Sequence, residues 1–292
     1  MTKERRGFFE LILATFLFSL FGVFTRLISD YLGVFFQLLL RTLIMAILFS
    51  VFAWITRNIK KINKHDLCLL IFRGLLVVID FSCFYIAVNH LQLGLALFLF
   101  YAANVIISFL FGSMFLKEKM NTAKYISISL ALLGLFVMYK DSFVGVKMLP
   151  SLAALISGSC FGLTASTSKK LTDKYSSWQV NFIGYLTAFL LVIPVLFISR
   201  ESFTFNLPIL TWIELLGFAS VGAGAFYLTL NGFNHLEAQK ASIIMLAELI
   251  FVVLIGFLFY SEVPTLNTFL GGLLILSALL IPNLNIKLIK LR

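Results

Sequence analysis

Three ionisable residues lie deep inside long apolar stretches of the sequence: Arg41, Asp80 and Glu248. A charged side chain in hydrocarbon is costly, so such residues usually have a partner and a function. Arg41 and Asp80 each lie about 12 Å from the predicted outer end of their stretch at 1.5 Å per helical residue, and this equal depth predicts that they contact each other. Glu248 lies about 18 Å deep, near the middle of its stretch, where it can bind a cationic group or carry a proton.

Polar and aromatic residues at similar depth complete a set of candidates for substrate binding. Gln37 is one helical turn from Arg41, and Asn104 has a depth close to that of Glu248. A buried arginine can hold a carboxylate with two parallel hydrogen bonds, so the set suits a zwitterion such as an amino acid. A static Arg41–Asp80 pair that only fixes helix packing is the alternative. Four tyrosines can stack on a bound solute: Tyr85, Tyr101, Tyr185 and Tyr227.

Other polar residues are interpreted as structural. Arg73 is close to the predicted end of its stretch, where a long side chain reaches back to the membrane surface. Small hydroxyl residues usually serve close helix packing in membranes, with cavity lining as the alternative. Five of them crowd the sixth apolar stretch: Ser157, Ser159, Thr164, Ser166 and Thr167. The three cysteines stand singly, and the sequence has no zinc-protease or phosphate-loop motif, so we predict no metal, no cofactor and no enzymatic activity.

Ten apolar stretches carry these residues, and each is long enough to cross a bilayer as a helix. Hydrophobic residues make up 61% of the 292 positions and charged residues only 12%, with a mean hydropathy of +1.03. The composition therefore predicts an all-α polytopic membrane protein. The stretches are 8–28, 33–55, 67–88, 93–115, 122–140, 150–168, 178–199, 209–232, 236–260 and 265–283.

The net charge of +10 is distributed unevenly between the two sides of the predicted membrane. One set of stretch ends holds 17 Lys and Arg residues and the other holds 4. Basic loops stay in the cytoplasm, so we expect a cytoplasmic membrane protein with both termini inside. The basic residues are then topology signals and lipid headgroup contacts, and no nucleic-acid partner is expected.

A repeated phrase divides the chain. Asn-His-Leu begins at Asn89 and again at Asn234, and a glutamate follows the next stretch each time, at Glu118 and Glu262. We predict two five-helix repeats, 1–145 and 146–292, and because five is odd the second must be inverted in the membrane. Inverted repeats suit a transporter that exposes a central site to each side in turn. The four repeated residues are candidates for gates or helix caps.

The chain resembles the EamA-type exporters of the drug/metabolite transporter superfamily. Its strongest marks are Arg41, Glu118, Glu248 and Glu262, although the family's Glu-Pro pair is missing its proline, since Leu249 follows Glu248. In the first copy Val105 stands at the equivalent position. The resemblance implies secondary transport of a small solute, with protons as a candidate second partner.

Amino acids are common cargo in this family, and S-adenosylmethionine and nucleotide-linked solutes occur among relatives. An intramembrane enzyme or a receptor-like membrane protein is the alternative of another class. For the oligomeric state, a monomer and a homodimer are the two alternatives.

Overall fold

The computed structural model describes residues 2–28, 30–57, 59–143, 146–201, 205–261 and 263–281. Within these ranges the chain forms twelve α-helices and a short 3₁₀ turn at Lys140–Ser142. The helices are α1 Lys3–Ser19, α2 Phe21–Ile28, α3 Val34–Ile55, α4 Lys64–His90, α5 Leu93–Phe115, α6 Thr122–Tyr139, α7 Met148–Thr172, α8 Ser177–Ser199, α9 Ile209–His235, α10 Ala238–Met245, α11 Ala247–Tyr260 and α12 Leu266–Leu280.

These helices form the ten predicted spans, because α1 continues into α2 and α10 continues into α11. Among the described residues, nine spans are long and apolar enough to cross a membrane, and α12 is an apolar helix of 15 residues. Helices suit this role because they satisfy every interior backbone group without water. Asparagine, serine or threonine side chains close the first turn of several of them, namely α1, α4, α6, α8 and α12.

Helix packing follows the predicted two-fold relation between the repeats. Two of the most extensive contacts join α3 to α8 and α6 to α12, which are equivalent helices of the two halves. The α1–α9 contact likewise has its equivalent in the contact between α7 and α4. Gly134 and Gly271 lie where α6 crosses α12, and a Cβ on either would come within 2.9 Å of the other's carbonyl oxygen. The chain is thus two five-helix repeats of opposite orientation.

The ninth span is broken at Leu246 although no proline is present. The Leu246 amide donates to the Ile243 carbonyl and the Leu249 amide donates to the Leu246 carbonyl, both at 3.1 Å. These bonds span three residues instead of four, so the turn is tighter than an α-helix. The break places Glu248 in the first turn of α11, where the helix dipole favours a carboxylate. The equivalent helix α5 is continuous through Val105.

The repeated Asn-His-Leu phrase ends two equivalent helices in the same way. Leu91 and Leu236 have extended backbone conformations and donate their amides to Ala87 and Gly232. The Asn89 side chain donates to the Tyr85 carbonyl in the last turn of α4, at 3.0 Å. The Asn89 side chain thus contacts the backbone of the last turn of α4.

Glu118 of the first repeat caps a helix of the second. Its carboxylate accepts hydrogen bonds from the Ala238 amide at 2.7 Å and the Gln239 amide at 3.2 Å, at the start of α10. Lys169 pairs with the same carboxylate at 3.1 Å. Glu118 is thus a cap, one of its two predicted roles, whereas Glu262 lies outside the described residues.

Two further ties join the repeats, and they occupy equivalent places. The Glu201 carboxylate, after α8, accepts from the amides of Phe35 and Phe36 at the start of α3, with a shortest distance of 2.9 Å to each. In the other half, the Lys60 backbone after α3 exchanges two hydrogen bonds with the Gln179 side chain at the start of α8. Each repeat therefore satisfies helix-end amides or side chains of the other.

Candidate functional site

A small cavity lies in the centre of the bundle, between α4, α7, α8 and α9. The volume that water can occupy in it is about 20 Å³, which is room for one or two water molecules. A solute the size of an amino acid would fit only if the surrounding helices moved apart. Charged, polar and aromatic side chains share the lining, among them Arg73, Asp80, Phe161, Asn181, Tyr185 and Phe226.

Arg73 lies in this cavity instead of reaching the membrane surface, so the expectation that it snorkels is wrong. Its side chain is 4% exposed, and Nη1 donates to the Thr164 carbonyl of α7 at 2.6 Å. The error comes from the helix boundary: α4 begins at Lys64, before the predicted start at 67. Arg73 is thereby about 13 Å from the first residue of the helix, too deep for its guanidinium to leave the bundle.

Unpartnered polar groups converge on the cavity. The Nε of Arg73, the Nδ2 of Asn181 and the hydroxyl of Tyr185 are buried without a hydrogen-bond partner among the described residues, and so is the Thr164 hydroxyl. The two nitrogens are donors, and the two hydroxyls can donate. Buried donors are normally satisfied by protein, water or a ligand, so these groups could together bind acceptor atoms such as those of a carboxylate. Tyr185 is a predicted candidate, Thr164 has cavity lining as its alternative role, and Arg73 and Asn181 are not candidates.

Asp80 provides the negative charge of the same cavity. Its Oδ1 accepts a hydrogen bond of 2.5 Å from the Ser157 hydroxyl of α7. Ser157 therefore orients a charged side chain, which the packing interpretation of the hydroxyl-rich segment missed. Arg73 and Asp80 are two turns apart on α4, and both line the cavity, so a cation-binding and an anion-binding group face one space.

The predicted direct pair between Arg41 and Asp80 is not formed in the described structure. The Arg41 guanidinium instead lies over three rings, with centroids at 4.4 Å for Phe81, 4.7 Å for Phe218 and 5.7 Å for Phe21. Asp80 and Phe81 are consecutive, so their side chains leave α4 about 100° apart. From the observed helix ends, Arg41 is about 10 Å into α3 and Asp80 is about 15 Å before the end of α4, so the two depths differ. The rotation of α4 turns the Phe81 ring toward Arg41 and the Asp80 carboxylate toward α7.

Two other candidates accompany Arg41 on the predicted outer side of the cavity. Gln37 is buried one turn away on α3. Tyr85 packs edge-on against Phe35, with 5.4 Å between the ring centroids. We call Arg41 with Phe21, Phe81 and Phe218 the outer arginine cage.

A second polar cluster surrounds Glu248. Its carboxylate faces the Tyr101 hydroxyl, and Tyr139 is the other titratable group near it. Asn104 is buried one turn from Tyr101 on α5, and its Nδ2 has no partner among the described residues. These residues belong to α5, α6 and α11, so they form a cluster separate from the Arg73 cavity.

Tyr227 and Asn234 line a more open cavity at the predicted cytoplasmic end of the bundle. Its volume is about 320 Å³, and hydroxyl, amide and aromatic side chains line it. Tyr227 stacks on Trp178 with 3.7 Å between ring centroids. In this structure Tyr227 is therefore held in an aromatic pair outside the central cavity.

Sequence reasoning missed Asn181 and Arg73 for different reasons. Asn181 is an uncharged residue among many polar ones, and nothing in its spacing distinguishes it. Arg73 carried a usable signal, because Arg41 and Arg73 are the two Lys or Arg residues that belong to neither set of stretch ends. If every charged residue inside a span had been treated as a functional candidate, Arg73 would have been identified.

The fold and this polar centre define a membrane transporter, and comparison with known proteins assigns its class. The EamA-like transporter family matches residues 5–140 and again 148–284. The chain belongs to this family.

Individual relatives match along nearly the whole chain. An uncharacterized transporter of Archaeoglobus fulgidus is 25% identical over 284 residues, which cover 95% of this chain and 96% of the relative. The pseudopaline exporter CntI of Pseudomonas aeruginosa is 25% identical over 280 residues, 94% of each chain. A solved crystal structure with 15% identity superposes with a TM-score of 0.79 over 95% of this chain and 96% of that one, which shows the same fold.

Proposed function

We propose that the protein is a secondary transporter for a small metabolite that bears a carboxylate, an amino acid or a related zwitterion. The observation that carries this proposal is the convergence of Arg73, Asn181 and Tyr185, all with unpartnered groups, on the cavity that Asp80 also lines. A carboxylate would accept from the first three, and an ammonium group would pair with Asp80. The similarity to exporters supports outward movement.

S-adenosylmethionine and nucleotide-linked solutes are the alternative cargo. S-adenosylmethionine carries the same zwitterionic end and would use the same residues. Its purine would need an aromatic platform in addition, and Phe81, Phe161 and Phe226 are rings of the cavity that could supply one.

Transport by purified protein in proteoliposomes tests the proposal. Uptake and counterflow are measured across a panel of amino acids and S-adenosylmethionine, with and without a pH gradient. We expect saturable counterflow of a zwitterion and a strong loss when its carboxylate is converted to an amide. Equal transport of the acid and its amide would contradict the role given to Arg73.

We further propose that both termini are cytoplasmic and that the membrane is the cytoplasmic one. Two exposed lysines in opposite loops, Lys61 and Lys147, test this orientation as single cysteines in a protein without Cys68, Cys83 and Cys160. A membrane-impermeant maleimide should label Lys147→Cys on intact cells and Lys61→Cys only after permeabilisation. The opposite pattern would invert the topology.

Glu248 is proposed as the residue that binds a coupling proton. Glutamine keeps an acceptor for the Tyr101 hydroxyl but cannot ionise, so Glu248→Gln should fold and yet transport about tenfold more slowly, with a flattened pH dependence. Tyr101→Phe is the matched control, since it removes the hydroxyl and leaves the carboxyl group. Wild-type rates for Glu248→Gln at every pH would assign Glu248 a structural role.

A further inference from the structure

The outer arginine cage has a counterpart in the other repeat. Sequence offsets between equivalent helices identify it. Ala14 and Ala154 are separated by 140 positions in α1 and α7, and Asn89 and Asn234 by 145 in α4 and α9. For α3 and α8 the offset is 143, which superimposes their N-caps, Gly33 and Ser176, and most of their buried positions.

All four residues of the cage have their equivalents in the central cavity. Phe21 corresponds to Phe161 and Phe81 corresponds to Phe226. Phe218 corresponds to Arg73 and Arg41 corresponds to Gly184. Each of these four equivalents lines the cavity. The cage and the cavity therefore occupy symmetry-equivalent positions in the two repeats. One lies toward the predicted outer side and the other toward the inner side.

Each of the two places contains one arginine, but on a different helix. Arg41 enters the cage from α3, whereas Arg73 enters the cavity from α4. At Gly184, the equivalent of Arg41, a Cβ would meet no atom within 4 Å, so the inner place is open where the outer one is filled by a side chain. There is thus one arginine on each predicted side of the midplane, but the two arginines do not occupy equivalent sequence positions.

The guanidinium of Arg41 has no ion pair or side-chain hydrogen bond with any described residue, although its side chain is only 7% exposed. Rings stabilise a cation through their faces, which leaves the in-plane N–H donors of arginine free. A carboxylate can therefore bind at the edge of the Arg41 guanidinium without displacing the rings. Asp80 and the cage ring Phe81 are consecutive, and both line the cavity.

We infer that the outer arginine cage is a second carboxylate-binding site, equivalent to the Arg73 site by the inverted repeat. The carboxylate of the solute is held by one arginine on each side of the midplane as it crosses. This inference rests on the proposed function, because it takes the solute to bear a carboxylate. Binding of a carboxylate at Arg41 can nevertheless be measured without transport.

Sodium acetate, the simplest carboxylate probe, tests the second site in the full-length protein in detergent. The shift in unfolding temperature is measured against sodium chloride at equal ionic strength. We expect the wild type to be stabilised, Arg41→Gln and Arg73→Gln each to keep about half of the shift, and the double variant to lose it. Arg200→Gln, at an exposed position outside both sites, should keep the full shift.

Arg41→Lys provides the same test if Arg41→Gln does not fold, because it keeps the charge and loses only the planar fork. The inference is overturned if the wild type shows no shift, or if Arg73→Gln removes all of it while Arg41→Gln removes none. Failure of the proposed function gives a different pattern. No amino acid is then transported, whereas the two-arginine dependence of the acetate shift remains and supports the second site.

Discussion

Replacing Arg73 with glutamine should lower kcat/KM for the transported zwitterion by about 100-fold. Truncating one partner of a buried, hydrogen-bonded charge pair costs about 2–5 kcal/mol, and about 2.8 kcal/mol corresponds to this factor. The loss should appear with zwitterions and be much smaller with their amides, because the amide lacks the charge that Arg73 holds. Counterflow in proteoliposomes gives both values.

Arg73→Lys and Arg200→Gln are the matched controls for this experiment. Lysine keeps the charge but cannot form two parallel bonds to a carboxylate, so we expect an intermediate loss. Arg200 is exposed, and its replacement should leave transport unchanged. If Arg73→Gln folds and transports acid and amide as the wild type does, the carboxylate does not bind at Arg73.

Gly158→Ala should destabilise the protein, although alanine is the better helix former. Gly158 lies where α7 crosses α5, and its Cβ would overlap the Phe100 carbonyl, so the two backbones must separate. Overpacking of this kind costs about 1–3 kcal/mol, and the cost rises when the obstacle is backbone. Thermal unfolding in detergent measures the loss.

Gly22→Ala is the control for Gly158→Ala. Gly22 lies near the start of α2, and its Cβ would have no neighbour within 4 Å. Alanine there should be neutral or stabilising by up to about 1 kcal/mol. Equal stability of the two variants would show that the α5–α7 crossing can relax at no cost.

The helices and their repetition could be predicted from the sequence because both depend on local patterns. Continuous apolar stretches set the spans, and the repeated Asn-His-Leu phrase and glutamates set the duplication. The position of Glu118 at a span end left a gate contact and a helix cap as alternatives, because position alone does not show which backbone amides a carboxylate reaches. The break at Leu246 could not be predicted in this way, because no proline or glycine marks it.

The site was harder to predict, because sequence gives depth along a helix better than rotation about it. The rotation of α4 directs Phe81 toward Arg41 and the Asp80 carboxylate toward Ser157 of α7. An error of three residues in the start of α4 was enough to assign Arg73 to the membrane surface. Asp80 and Tyr185 were candidates that do line the cavity, whereas Asn181 required the packing of α8 against α4 to be known.

The ties between the repeats bear on how such a chain could have arisen. Glu118 closes the first turn of α10, and Glu201 closes that of α3, so each half supplies a cap that the other half needs. A free five-helix unit would leave these amides without partners. A second copy inserted upside down would complete both sets at once. The geometry is therefore that of two five-helix units packed antiparallel, each of which completes a helix end of the other.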